Sequence, residues 1–211
     1  MIIDNKGRDK MHGMLRLTSA VVFLLTSLTA FAKTNSSHPE KPVIRGIVTS
    51  AITHGGDDIA KVQFKNADSE KIKAGDLLMI GGGILISPPQ SLFSVQLTVN
   101  YYFDSIIAKN GDASFDRYPV ELLVFVNPGR HRVGAGITEH FSPRAELDFD
   151  GQEKSSAKFD DATGLILQYD YKLTDDLFLG LRYTAITYTA SDNQGADVDG
   201  DNVGLTALYQ F

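Results

Sequence analysis

The chain has 211 residues, no cysteine, and 26 acidic against 20 basic side chains, a formal net charge of −6. Without cysteine there is no disulfide framework, thiolate metal site or lipid-bearing cysteine. The acidic balance argues against nucleic acid, which selects a basic face.

The first segment reads as a signal peptide. Arg16 gives a basic start, residues 21–25 (VVFLL) an apolar run, and Ala30-Phe31-Ala32 the small-x-small pattern of a cleavage site. Cleavage is expected between Ala32 and Lys33, which gives a leader over 1–32 and a mature domain over 33–211. Residues 1–13 are polar and add nothing to that design, so Met11 or Met14 is the expected start. The apolar run is too short for a membrane anchor, which needs roughly 20 residues. Cleavage removes Lys6, Arg8, Lys10 and Arg16 against Asp4 and Asp9, leaving 16 basic and 24 acidic residues and a net charge of −8.

Downstream, the dominant pattern has period two over segments of about ten residues. A first strand is expected over 43–53, followed by a small hairpin within 59–73 that turns at Asn66-Ala67-Asp68-Ser69. A second strand starts at Leu77. The alternation of these two strands is poor, and IRGIVTSAI and LLMIGGGILI do not reveal which face is which.

The remaining strands are clear. Residues 93–104 place Phe93, Val95, Leu97, Val99, Tyr101 and Phe103 on one face, opposite Ser94, Gln96, Thr98, Asn100, Tyr102 and Asp104. Residues 118–126, 132–141, 163–172 and 177–185 repeat the scheme, with Glu121, Arg132, Asp170 and Arg182 on the polar face. Charges are expensive against hydrocarbon, so the apolar face meets lipid and the polar face a narrow lumen. Glu139 falls on the lipid side and fits only near an interface. Tight turns at SPPQ (87–90), NPGR (127–130) and LTDD (173–176) alternate with longer polar loops around 104–114, 148–157 and 190–201. Short turns on one side and long loops on the other, with both termini on the short-turn side, require eight strands.

The last nine residues, VGLTALYQF, alternate Val203, Leu205, Ala207, Tyr209 and Phe211 and end on the aromatic. This terminus resembles the assembly signal of bacterial outer-membrane barrels. The mature chain resembles small Gram-negative outer-membrane proteins of the OmpA-like or OmpX-like type. The resemblance implies an all-β, eight-stranded antiparallel up-and-down transmembrane barrel. It also implies insertion by the barrel-assembly machinery through Tyr209 and Phe211, and partners in outer-membrane lipid and lipopolysaccharide. It implies a monomer but no reaction.

Inside such a barrel, ions must pair. Arg117, Glu121, Arg132, Asp170 and Arg182 are therefore expected to form a lumenal salt-bridge network that plugs the interior. Eight strands leave room for little beyond side chains. Two histidine sites are candidates for rim chemistry, His140 with Ser142, and His54 with Asp57 and Asp58. Neither carries a nucleophile motif. The loop with Asp192, Asp197, Asp199 and Asp201 departs from a calcium loop at Asn202 and Leu208. Tyr101, Tyr102, Phe103, Tyr118, Phe141, Tyr188, Tyr209 and Phe211 are expected as interfacial girdles. The reading is an outer-membrane barrel with a structural or surface-interaction role, without catalytic residues, metal or cofactor. The alternatives are a lipid-modifying or proteolytic enzyme with a rim site, and a narrow channel.

Overall fold

The computed structural model describes residues 41–62, 70–75, 77–108, 111–149, 154–191 and 197–211. The expected leader with Ala30 and Ala32, the turn at 66–69 and Asp192 lie outside these residues.

The described elements are β1 (Val43–Gly55), β2 (Asp58–Val62), β3 (Glu70–Lys73), β4 (Leu77–Ser87), β5 (Phe93–Ala108), β6 (Gly111–Val126), β7 (His131–Phe149), β8 (Ser155–Lys158), β9 (Ala162–Lys172), β10 (Leu177–Ala185), β11 (Thr187–Thr189), β12 (Asp197–Asp199) and β13 (Asn202–Gln210). Eight of them form one antiparallel sheet in the order β6-β5-β4-β1-β13-β10-β9-β7, and β6 pairs with β7 to close it. Closure removes every edge that a barrel in lipid could not satisfy. The chain's two ends meet where β1 pairs with β13, from Ile47↔Gln210 to Gly55↔Asn202. The Phe211 N–H adds a bond to the Gly46 carbonyl at 2.9 Å.

The faces of β1 and β4 are now defined. Ile47, Thr49, Ala51 and Thr53 point inward with Met79 and Leu85, while Val48, Ile52, Ile80 and Ile84 face out. Their alternation was unreadable because Ile47 and Leu85 belong to an apolar floor of the lumen, with Phe178 and Leu208. Apolar residues therefore stand on both faces there.

On the turn side the strands end at the expected tight turns. On the loop side they run on. β5 and β6 are 16 residues each and β7 is 19, against the roughly 9–11 that cross a bilayer. The expected polar loop at 104–114 is instead mostly a continuation of the β5–β6 ladder, from Asp104↔Phe115 to Ala108↔Gly111. Strand also enters the expected loops at 148–157, where β8 pairs with β7, and at 190–201, where β12 pairs with β11. Pairing persists because the residues that face inward here, including Ala113, Phe115, Ala145 and Tyr188, bury a second apolar core.

Between the two levels the ladder is interrupted. Tyr118 faces Phe141 and Asp116 faces Arg144, so β7 sets Ser142 and Pro143 against the single Arg117 of β6. Ser142 takes a φ of 51°, and its N–H is held by Asp161 Oδ1 at 2.9 Å. Such a bulge shifts the phase of its strand by one residue. Below it the even residues of β7 point inward, Arg132, Thr138 and His140 among them; above it Ala145 does. The outer face changes character at the same height, from Val133 and Ala135 below to Arg144 and Glu146 above.

Candidate functional site in the barrel lumen

The lumen is built in three tiers. In the lowest, Arg132 stacks over the ring of Phe125 at 3.8 Å and lies 5.2 Å from the centroid of Phe178. Its Nη2 donates to Gln96 Oε1 at 2.8 Å, and its Nε lies 3.7 Å from Asp170 Oδ2. Asp170 also accepts from Gln168 Nε2 at 2.9 and 3.1 Å and from Thr206 Oγ1 at 3.3 Å. Gly180 makes room for this carboxylate, since a Cβ there would lie 2.2 Å from Asp170 Oδ1.

The middle tier is a bidentate pair of Arg182 and Glu121. Arg182 Nη1 donates to Oε2 at 3.0 Å and Nη2 to Oε1. Thr98 Oγ1 donates to Glu121 Oε2 at 3.2 Å, and Arg182 Nε donates to Thr184 Oγ1 at 3.1 Å. Two parallel N–H···O contacts fix both planes as well as holding charge. A void of about 10 Å³, bordered by Gln96, Glu121, Gln168, Arg182 and Thr206, lies in this part of the lumen. That is about one water.

The upper tier holds Arg117, whose guanidinium lies 3.6 Å from the ring centroid of Tyr102, 4.6 Å from Phe115 and 5.7 Å from Tyr188. Tyr102 donates to the Gly75 carbonyl at 2.8 Å and contacts Thr53 Oγ1, and Thr53 donates to the same carbonyl at 2.8 Å. The Tyr188 hydroxyl meets His140 Nδ1 at 2.7 Å. Above this tier, Ala74 from the first loop joins Phe115, Phe159, Ile186 and Tyr188 in the apolar cap. Phe115, Phe159 and Tyr188 pack edge to face with centroids 5.6 to 6.2 Å apart.

The five residues expected to form one network therefore fall into three groups. Glu121 meets Arg182, and Arg132 meets Asp170. Arg117 meets neither Glu121 nor Asp170 and is stacked among rings. Tyr102 and Tyr188 are corrected from the girdle to the interior, 3% and 0% exposed. Strand phase signalled both: Tyr102 is in step with Gln96, and Tyr188 with Arg182. The membrane-facing aromatics include Tyr101, stacked on Phe103 and Tyr118 at 5.3 Å each, and Tyr209 and Phe211 at the opposite end.

His140 is not at a rim. It is 1% exposed beneath Tyr188, while the Ser142 backbone is turned to Asp161. His54 is exposed on the outer wall, and Asp57 Oδ2 accepts the Asp199 N–H at 3.1 Å. The acidic loop is spent on its own geometry. Asp197 accepts from Thr189, Asp199 from the Asp201 N–H, and Asp201 from the Ile186 N–H and the Tyr183 hydroxyl. Among the described residues no group of three or more His, Asp or Glu side chains is arranged to hold a metal. Glu139, on the outer face, accepts from Thr163 Oγ1 at 2.5 Å.

A closed eight-stranded barrel that is apolar outside and ion-paired inside is a transmembrane β-barrel, for lipid is the solvent that such a wall fits. The family model for the outer membrane protein beta-barrel domain matches residues 18–211. The chain belongs to that family, and its place is the outer membrane. No curated protein matches the sequence. Solved structures with a similar fold include Neisserial surface protein A, with a TM-score of 0.47, 12% identity and coverage of 82% of this chain and 100% of that one. The attachment invasion locus protein of Yersinia pestis, solved with the heparin analogue sucrose octasulfate, has a TM-score of 0.46, 11% identity and coverage of 82% and 100%. The outer membrane protein OprG of Pseudomonas aeruginosa has a TM-score of 0.39, 15% identity and coverage of 82% and 98%. At these scores the likenesses carry no part of the assignment, which rests on the family match.

Proposed function

We propose that the protein is a closed, non-conducting barrel with a structural or surface-interaction role in the outer membrane. One observation carries this reading, the filling of the lumen by Glu121–Arg182 and Arg132–Asp170 with a void of about 10 Å³ in that region. Arg117, Glu121, Arg132, Asp170 and Arg182 then act as a polar plug. Glu121 with Arg182 and Arg132 with Asp170 satisfy one another where bulk water is excluded, and Arg117 fills the upper lumen among aromatic rings. The outward aromatics and the extended strands above them meet the lipid and lipopolysaccharide of the outer leaflet. Tyr209 and Phe211 serve as the terminal signal for the assembly machinery. In this reading the barrel is a monomer, since its closed wall has no free edge to pair.

The test is conductance in planar bilayers. The expected result is no stepwise current above the bare membrane. Discrete conductance steps that change in Glu121→Ala would overturn the plug in favour of a narrow channel. Loss of a surface lipid modification or proteolytic activity on His140→Ala, with the barrel intact, would favour an enzyme.

A further inference from the structure

We infer that two side chains seated over glycines set the register in which the barrel closes. They stand at the two ends of the β1–β13 seam, Phe211 over Gly46 and Thr53 over Gly204. Every other pair of neighbouring barrel strands is consecutive along the chain, so a turn or loop restrains its register. The seam joins the first barrel strand to the last and has no such connection.

Alternation does not supply the missing information. A slip of two residues keeps every side chain on its own face. Ile44 and Val48, two positions to either side of Gly46, are both apolar and exposed on the same outer face. What differs along that row of Ile44, Gly46, Val48, Ser50 and Ile52 is size, and Gly46 is its one bare position.

Phe211 uses that position. Its N–H donates to the Gly46 carbonyl at 2.9 Å, which sets the two residues opposite each other. The ring then lies over the glycine, where a Cβ would stand 2.6 Å from Phe211 Cζ. At the other end of the seam the same device recurs on the inner face, with the strands exchanged. Thr53 stands opposite Gly204, and a Cβ on Gly204 would lie 2.6 Å from Thr53 Cγ2. The Thr53 hydroxyl donates to the Gly75 carbonyl at 2.8 Å, which fixes the direction of the methyl. A slip of two would set Phe211 and Thr53 against Ile44 and Asn202, or against Val48 and Thr206. Side chains would then meet at both ends. Rings over bare glycines and β-branched cross-strand pairs are devices that pin register in sheets. This role of Phe211 is independent of its reading as an assembly signal, and the test leaves the assembly machinery out.

The full chain, unfolded in urea, is diluted into detergent micelles without other proteins, and closure is read from the heat-modifiable band. The chain has no cysteine, so only an introduced pair can form a disulfide. Ser50→Cys with Ala207→Cys stand opposite each other in the observed register. Ser50→Cys with Leu205→Cys, or with Tyr209→Cys, come opposite only after a slip of two. In the otherwise unsubstituted chain only the first pair should cross-link. Thr53→Ser keeps the hydroxyl and removes the methyl. Combined with Phe211→Ala, it should lower the first cross-link about threefold and make a slipped one appear. Gly46→Val displaces the ring from its seat and should match Phe211→Ala alone, with no further loss when the two are combined. Absence of slipped cross-links from every variant, or additive losses from Gly46→Val and Phe211→Ala, would overturn the proposal. So would loss of the folded band in any of them, because stability rather than register would then rest on these contacts.

Discussion

The membrane-level barrel and the cap above it share strands but follow opposite rules. At the level of Glu121 and Arg182 the wall is apolar outside, where Leu205 and Leu181 are 64% and 60% exposed, and polar within. One or two turns of the ladder higher, the outer face carries Ser105, Asp112, Arg144 and Glu146 and the interior is Phe115, Phe159 and Tyr188. Each region buries what its own surroundings reject. Hydrocarbon rejects ions, so they go inside and must pair. Water rejects aromatic rings, so they go inside and pack. Arg117 lies at the boundary, stacked among the rings of the upper core.

Breaking the middle pair gives the largest expected effect. Glu121→Ala leaves Arg182 charged and alone, and should cost about 3–5 kcal/mol of unfolding free energy in urea titrations. Replacing both, as Glu121→Leu with Arg182→Met, should recover most of that loss. If the double variant is as unstable as the single one, geometry rather than charge holds the tier together.

The cap should fail differently. Tyr188→Ala removes a fully buried ring and the contact with His140, worth about 3–4 kcal/mol by the usual cost of deleting a buried aromatic. The damage should be confined to the cap, because the ladder below it is intact. External protease should cut between 186 and 201 while the heat-modifiable band persists. Loss of both together would mean that cap and barrel fold as one unit.

The reversal of faces can be read with one substitution at each level. Leu205→Arg puts a charge on the lipid side and should cost about 2–3 kcal/mol. Ser105→Arg, exposed on the outer face of β5 above the bulge, should stay within about 0.5 kcal/mol of the parent, as surface changes in water do. Equal costs at the two positions would place Ser105 in the membrane and erase the boundary drawn at Arg117.

The smallest effect belongs to the turn side. Lys172 Nζ lies 2.8 Å from Asp175 Oδ1 and holds that exposed carboxyl below its usual range. A carboxyl whose pKa is lowered on folding adds stability above its unfolded pKa, and that stability is lost as pH falls through the lowered folded value. Solvent screens this pair almost completely. Asp175→Asn should therefore leave the unfolding midpoint at neutral pH unchanged within error, and the two proteins should converge further in acid.

The sequence by itself determined the architecture. Period-two alternation over 93–104, 118–126, 132–141, 163–172 and 177–185 depends only on the cost of placing each side chain in lipid or in the lumen, and that cost is local. The short turns with proline, glycine and aspartate, and the terminal Tyr209 and Phe211, are local too. The pairings Glu121 with Arg182 and Arg132 with Asp170 were also within reach, because register from the tight turns sets their heights. The tertiary structure decided what depends on more than one strand. Alternation in β1 and β4 was masked because Ile47 and Leu85 complete a floor with Phe178 and Leu208, residues more than 90 positions away. Only the opposing strand reveals that Ser142 and Pro143 stand against Arg117 alone, so only pairing could show that β7 changes phase and continues as the wall of a second, apolar core. Arg117, expected among carboxylates, is instead enclosed by rings from β5, β6 and β11. A charge's nearest neighbours inside a barrel are set by closure of the sheet and folding of the loops over it, and no spacing along the chain records either.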